Sequence, residues 1–195
     1  MRVIAGSLKG RRLKGPTWSG LRPTSDKLRE TLFNVLAPQI AGARVLDAFA
    51  GTGALGIEAF SRGASTVTFI EGDRRAQALI AENLAHCGIE SGCAIIRASV
   101  ERALATLRSR SAFVPFDIVL LDPPYDKLPE EILKHAEAAV APGGVVVLEH
   151  TRRHLPPESC GRLVRSRLLR SGDSALSIYA VGRRSDKVGS QKEEG

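Results

Sequence analysis

The sequence predicts an α/β fold: a mostly parallel, seven-stranded sheet with helices on both faces, extended by a small N-terminal β-hairpin. Three observations predict it. Strands and helices alternate through the middle of the chain, a glycine loop follows the first strand of that series, and the fourth strand ends in Asp122-Pro123-Pro124-Tyr125. Alternation implies parallel pairing, because each helix carries the chain back along the sheet and covers one of its faces.

Arg2–Ala5 and Arg11–Lys14 read as two short strands turning at Gly6 and Gly10. Residues 16–23 form a Pro/Gly loop. Thr24 or Ser25 caps a helix with Leu28, Leu32, Val35 and Leu36 on one face, and Pro38 is expected to end it. Strands then fall at Arg44–Asp47, Thr66–Glu71, Cys93–Arg97, Phe116–Leu121 and Gly144–Glu149. Helices fall at Ala54–Arg62, Arg74–His86, Val100–Arg108 and Glu130–Ala141. The rhythm changes at the end: Arg162–Leu169 and Ala175–Val181 flank the turn Ser171-Gly172-Asp173 as an antiparallel hairpin at a sheet edge. Residues 1–183 are read as one domain, with 1–23 as a basic hairpin and loop. Residues 184–195 are polar and aperiodic and read as a disordered tail.

Composition narrows the function classes. With 195 residues, 43% of them hydrophobic, the chain can bury one core. No apolar run reaches the ~18 residues of a membrane span. The N-terminus lacks the apolar stretch of a signal peptide, so a cytoplasmic protein is expected. Cys87, Cys93 and Cys160 are odd in number and form no CxxC pair, which suggests neither a disulfide framework nor a zinc site. His86, His135, His150 and His154 show no metal-ligand spacing, and no metal is expected. The net charge of +7 is uneven. Residues 1–30 carry eight Lys/Arg against two Asp/Glu, residues 31–150 ten against fourteen, and residues 151–195 ten against five. An acidic middle with basic ends fits either polyanion binding or a solvated basic surface.

Gly51, Gly53 and Gly56 match GxGxxG after the strand ending at Asp47, and Glu71 closes the next strand. Glycines let the backbone approach a ligand, and a carboxylate in that place accepts hydrogen bonds from ribose hydroxyls. The loop by itself leaves a dinucleotide, S-adenosylmethionine or a structural tight turn open. Asp47 tilts the choice. A carboxylate there would repel a pyrophosphate, whereas the ammonium and sulfonium of S-adenosylmethionine are attracted to it.

Asp122-Pro123-Pro124-Tyr125 lies beyond the carboxyl end of a strand, where ligands bind in open α/β sheets. The prolines stiffen the backbone and remove two N–H donors while their carbonyls stay available. A carboxylate, a rigid carbonyl and an aromatic face suit a planar ring that bears an amino group. A proline turn that merely stops the strand is the structural alternative. Glu149 ends the fifth strand on the same rim, as a pocket wall or a structural residue.

Asp47-Ala48-Phe49-Ala50-Gly51-Thr52-Gly53 and Asp122-Pro123-Pro124-Tyr125 resemble motifs I and IV of the Rossmann-like amino-methyltransferases. Arg22-Pro23-Thr24-Ser25-Asp26-Lys27-Leu28-Arg29-Glu30-Thr31-Leu32-Phe33-Asn34, with the basic opening of the chain, resembles the bacterial methyltransferase D family, which methylates N2 of a guanine in 16S ribosomal RNA. The resemblance spans roughly residues 1–182. It implies a Rossmann-like methyltransferase fold and S-adenosylmethionine as the methyl donor. It places Asp47, Gly51 and Gly53 around the methionine part, Glu71 at the ribose, and Thr24 where the site closes. Ser99 falls at the adenine, where many relatives have an acidic residue, and Phe49 and Val100 belong to the same cofactor site. Asp122, Pro123, Pro124 and Tyr125 become the catalytic set. Arg2, Lys9, Arg11, Arg12, Lys14 and Arg22 become RNA contacts. The implied partner is 16S rRNA in an assembled or partly assembled 30S subunit, met by a monomer.

Methyl transfer of this kind needs neither a metal nor a covalent intermediate. Asp122 and the Pro123 carbonyl would accept the N–H bonds of the amine and draw its nitrogen toward tetrahedral geometry. Competing readings are an amino-methyltransferase for DNA adenine N6 or a protein glutamine, and a non-catalytic dinucleotide- or RNA-binding domain. The chain has no room for a DNA target-recognition domain. Asp122 stands where glutamine methylators have Asn, and a non-catalytic domain leaves Asp122–Tyr125 unexplained.

Overall fold

The computed structural model describes residues 1–18, 25–124 and 127–182. Among them are five helices and eight strands: α1 (Asp26–Ile40), β1 (Arg44–Ala48), α2 (Ala54–Ser61), β2 (Thr66–Glu71), α3 (Arg74–His86), β3 (Cys93–Arg97), α4 (Val100–Arg108), β4 (Phe116–Leu121), α5 (Pro129–Glu137), β5 (Val140–Thr151), β6 (Ser159–Cys160), β7 (Leu163–Ser171) and β8 (Ser174–Val181). They build one sheet in the order β3-β2-β1-β4-β5-β8-β7-β6. The strands β3, β2, β1, β4 and β5 are parallel, while β8, β7 and β6 are joined antiparallel.

The sheet has two cores. One face lies under α1, α2, α3 and the N-terminal arm, with Phe33, Leu36, Val45, Ile57, Phe69, Ile80, Leu120 and Ile178 in contact. The other lies under α4 and α5, with Leu46, Ile70, Leu104, Val119, Leu133, Leu148 and Tyr179. The central strands are buried on both sides, which is why they read as continuous apolar runs. Side-chain caps start three helices: Ser25 accepts from the Leu28 amide, Asp73 from those of Arg75 and Ala76, and Ser99 from that of Arg102.

The parallel part follows the sequence expectation closely; its margins do not. The sheet has eight strands and not seven, because Ser159–Cys160 pairs with Val164 and Leu163. A two-residue strand carries no periodicity to detect. The N-terminal hairpin contains a single bridge, Arg2 to Arg12, and no extended strands. Its two halves still run antiparallel, with Val3 N donating to Arg11 O, Gly10 N to Val3 O and Leu13 N to Met1 O, and further backbone groups bond to side chains of α2 and α3. Pro38 does not end α1; it sits in the last turn, and burial of Ile40 in the core holds that turn in place. α5 stops at Glu137 and β5 already begins at Val140, where it pairs with Phe116 before a register shift. The alanines of this stretch fit either period, which blurred the boundary.

Gly56 lets α2 lie close on β2. A Cβ there would stand 2.3 Å from the Phe69 ring. The third glycine of the loop therefore serves helix–sheet packing.

Candidate functional site

Glu71 ends its strand, Asp122 follows β4 directly, and Asp47 and Glu149 lie within two residues of the carboxyl ends of β1 and β5. Register alternation turns them to the face covered by α1, α2 and α3. Asp47 pairs with Phe69, two residues before Glu71 on the neighbouring strand. Leu121 pairs with Leu148, so Asp122 and Glu149 follow one step beyond on adjacent strands.

Backbone amides organise the glycine loop around these acids. Asp47 Oδ2 accepts a 2.8 Å hydrogen bond from Gly56 N. Glu71 Oε2 accepts one of 2.8 Å from Gly51 N, and its Oε1 one of 2.8 Å from Asp73 N. Gly53 caps α2 at φ 76°, in the left-handed region where a Cβ is disfavoured. Phe49 holds φ 63° without being glycine, a strain of about 1–3 kcal/mol that the surrounding structure must over-determine.

The electrostatics are acidic. Burial pushes the Asp47 carboxyl up to about 8 against the pull of the Gly56 amide, and the Glu71 charge adds to the rise. Asp122 is held well above the usual carboxylate range by burial first, then by the charges of Glu149 and Asp47. Its backbone amide reaches Ala48 O at 3.4 Å, tying the fourth strand's end to the first. Its carboxylate has no hydrogen-bond donor among the described residues, and neither has the Pro123 carbonyl; the Pro124 carbonyl accepts from Lys127 N at 3.1 Å. Among the described residues the rim thus presents a carboxyl and a carbonyl side by side, neither with a hydrogen-bond donor.

Of the other sequence candidates, Val100 is buried at the start of α4, and Ser99 uses its hydroxyl oxygen to cap that helix, at 3.4 Å from Arg102 N. Arg2, Lys9, Arg11, Arg12 and Lys14 are all exposed on the arm, and Lys14 is ion-paired with Glu82. Arg22, Thr24 and Tyr125 lie outside the described residues, as does the tail 184–195.

Sequence reasoning missed how the arm is fastened. The fully buried Glu58 accepts from Ile4 N at 2.7 Å, Ala5 N at 3.1 Å and Arg62 Nε at 2.7 Å. Asn83, also fully buried, accepts from Lys14 N at 2.8 Å and donates to Lys14 O at 3.1 Å and Thr52 O at 3.0 Å. A polar residue beside Ile80 and Leu84 on the apolar face of α3 was the available signal.

Comparison with known proteins fixes the lineage of this arrangement. The family model described as "Conserved hypothetical protein 95" matches residues 1–180. The chain belongs to this family, that of methyltransferase D and YlbH. It is 38% identical over 185 residues to YlbH of Bacillus subtilis (strain 168), named a candidate rRNA methyltransferase, across 92% of this chain and 98% of that protein. It is 46% identical over 125 residues to ribosomal RNA small subunit methyltransferase D of Escherichia coli (strain K12), across 64% of this chain but only 60% of that enzyme. Among solved structures, the candidate methyltransferase yhhF from Escherichia coli matches at TM-score 0.79 and 35% identity, over 93% of this chain and 98% of that one. SMU.776, a candidate methyltransferase solved with SAH, matches at TM-score 0.67 and 15% identity, over 83% of this chain and 51% of its own; that likeness concerns the fold, which is Rossmann-like.

Proposed function

We propose that this member of the family is an S-adenosylmethionine-dependent methyltransferase acting on the exocyclic N2 amine of a guanine in 16S rRNA. The observation that carries the reading is the convergence of Asp47, Asp122 and Glu149 on one rim beside the glycine loop. A pyrophosphate would raise these carboxyls further, whereas a cationic donor favours their ionised form, so the residues present fit the group. The names of its relatives, ribosomal RNA small subunit methyltransferase D among them, point to the substrate class.

The bound donor supplies a methyl group already activated by its sulfonium. The chain's own residues position and polarise. Asp47, Phe49, Gly51 and Gly53 border the methionine end, Glu71 takes the ribose, and Ser99 and Val100 wall the adenine. Thr24 closes the site. Asp122 and the Pro123 carbonyl accept the two N–H bonds of the amine, which draws its lone pair out of the ring and toward the methyl. Pro124 stiffens the loop, and Tyr125 stacks on the base. The amine proton, acidic once the N–C bond has replaced the donor's S–C bond, would pass to the Asp122 carboxylate or to water, so Asp122 need not be a strong base. Arg2, Lys9, Arg11, Arg12, Lys14 and Arg22 contact phosphates, which position the RNA without specifying sequence. Specificity then comes from folded shape, which favours an assembled or partly assembled 30S subunit.

Radiolabelled methyl transfer to undermodified 30S subunits, naked 16S RNA and duplex DNA in parallel, followed by nucleoside analysis, tests the proposal. N2-methylguanine in rRNA is expected. Label in N6-methyladenine of DNA, or NAD binding without donor binding, refutes it.

A further inference from the structure

We propose that Arg152, Arg153 and Arg170 form a second phosphate-contact surface, on the acceptor side of the rim, that holds the RNA strand flanking the target nucleotide. The inference rests on the RNA-methyltransferase reading above and adds to it a surface separate from the N-terminal arm.

Topology brings the three arginines together. Thr151 of β5 and Ser171 of β7 both pair with Ser174 of β8, so these strand ends meet at the rim that carries Asp122 and Glu149. Arg152 N donates to Asp173 O at 2.8 Å and closes the corner between β5 and the β7–β8 turn. Arg153 follows in the turn that leaves β5. Arg170 stands opposite Ala175 and, across it, His150, so it borders the same rim from the face of α4 and α5, while Asp122 and Glu149 turn to the other face, and the surface wraps the end of the sheet. Arg152 is three residues beyond Glu149, or about 10 Å at the usual rise of a strand. A base whose amine rests on Asp122 thus has its neighbouring phosphates within reach of these side chains.

The arginines are also available. All three are exposed, and none has a side-chain partner among the described residues. Two other arginines of this part of the chain are engaged, Arg162 with Glu137 and Arg165 with Glu158 and the Pro156 carbonyl, while the exposed Arg167 lies opposite Ile178, four residues before the end of β7 and farther from the rim. The exposed Asp173 is the acidic residue in this corner, one charge against three. An unpaired guanidinium presents a planar fork of donors that matches a phosphate.

The arm is poorly placed to serve this side alone. Ser7 N donates to Ser61 O at 2.8 Å and Leu8 N to Ser61 Oγ at 3.0 Å, which fixes its tip at the last residue of α2. That helix starts at the glycine loop, so the tip and Lys9 lie about 12 Å from the rim, the length of eight helical residues. The arm also packs on α2 and α3, above the donor half of the sheet.

The test compares the wild-type chain with an R152Q/R153Q/R170Q variant on 30S subunits and 16S RNA across a salt series, with donor affinity measured by calorimetry. The expected result is a KM for RNA raised roughly tenfold or more with kcat and donor affinity kept. The slope of log affinity against log salt should become shallower by about 2, as loss of three phosphate contacts on a single strand requires. Arg153→Gln alone, on the exposed turn, should give a smaller change of the same sign if the triple variant folds poorly. An unchanged KM and salt slope with full wild-type transfer overturns this surface and leaves the functional reading standing. Absence of wild-type transfer to any rRNA substrate brings down the reading and the surface together.

Discussion

Asn83 donates a 3.0 Å hydrogen bond to the Thr52 carbonyl, in the middle of the glycine loop, while the same amide grips both backbone groups of Lys14. One buried side chain therefore couples the loop assigned to the donor with the end of the basic arm. Asn83→Ala leaves a carbonyl of the loop and a backbone pair of the arm without partners. It should destabilise the fold by about 1–3 kcal/mol and weaken donor binding, although Asn83 is not assigned a contact with the donor. Thermal unfolding and calorimetry on the same variant check it. Unchanged donor affinity in a destabilised protein would mean that Asn83 serves the fold alone.

Glu71 holds the loop from the other side, through Gly51 N and Asp73 N. Glu71→Gln keeps one acceptor oxygen where two amides need one each. Hydrogen bonds to charged groups contribute about 1.5–3 kcal/mol, so donor affinity should fall by roughly ten- to a hundredfold. Isothermal titration with S-adenosylmethionine reads the loss directly, and an affinity within about twofold of wild type would contradict the assignment.

Asp47 makes donor binding depend on pH. In the folded chain burial raises its carboxyl from 3.8 to about 8, so near neutrality it is mostly protonated. A cationic donor favours the ionised form, so binding should release a proton at pH 7 and tighten as pH rises toward 8, by up to about tenfold per pH unit. The fold responds in the opposite sense. The folded pKa lies above the unfolded one, so the unliganded chain holds this proton more tightly than the unfolded chain does. Its contribution to stability is present at low pH and is lost as pH climbs toward 8. Calorimetry in buffers of different ionisation enthalpy measures the released proton. A proton count of zero at pH 7 counts against a donor cation beside Asp47.

What the sequence disclosed and what it withheld divide along a physical line. The parallel strands and their rim residues were readable because doubly buried strands leave unbroken apolar runs, and Asp47, Glu71 and Asp122 interrupt those runs at their ends. The arm keeps the expected antiparallel hairpin but reduces its strands to one bridge, because part of its backbone is satisfied by Glu58, Ser61 and Asn83, distant side chains that leave no local pattern. Pro38 was misread because propensity cannot weigh the burial of Ile40 that keeps the last turn of α1. The coupling of Asp122 to Glu149 depended on the register of β4 and β5, which no spacing in a single chain reveals.

That coupling gives the sharpest test of the chemistry. Asp122 is raised by burial and then by the negative charges of Glu149 and Asp47. While protonated it is a weaker acceptor and carries no charge to stabilise the cationic nitrogen that forms, so methyl transfer should climb with pH as Asp122 ionises. Glu149→Gln removes a like charge and leaves the shape nearly unchanged. The pKa of Asp122 should then fall, and the acidic limb of the kcat profile should move to lower pH. At a pH on that limb the variant should be faster than the wild type, an outcome that simple damage to the site cannot produce. Asp122→Asn supplies the control: it should abolish the limb and most of the turnover while donor affinity persists, because the lost group acts on the acceptor amine. If Glu149→Gln lowers kcat uniformly at every pH, Glu149 is a wall of the pocket and its charge is not felt at Asp122. If Asp122→Asn turns over at near wild-type rate, the carboxylate is not the group that accepts the amine, and the role must pass to the Pro123 carbonyl.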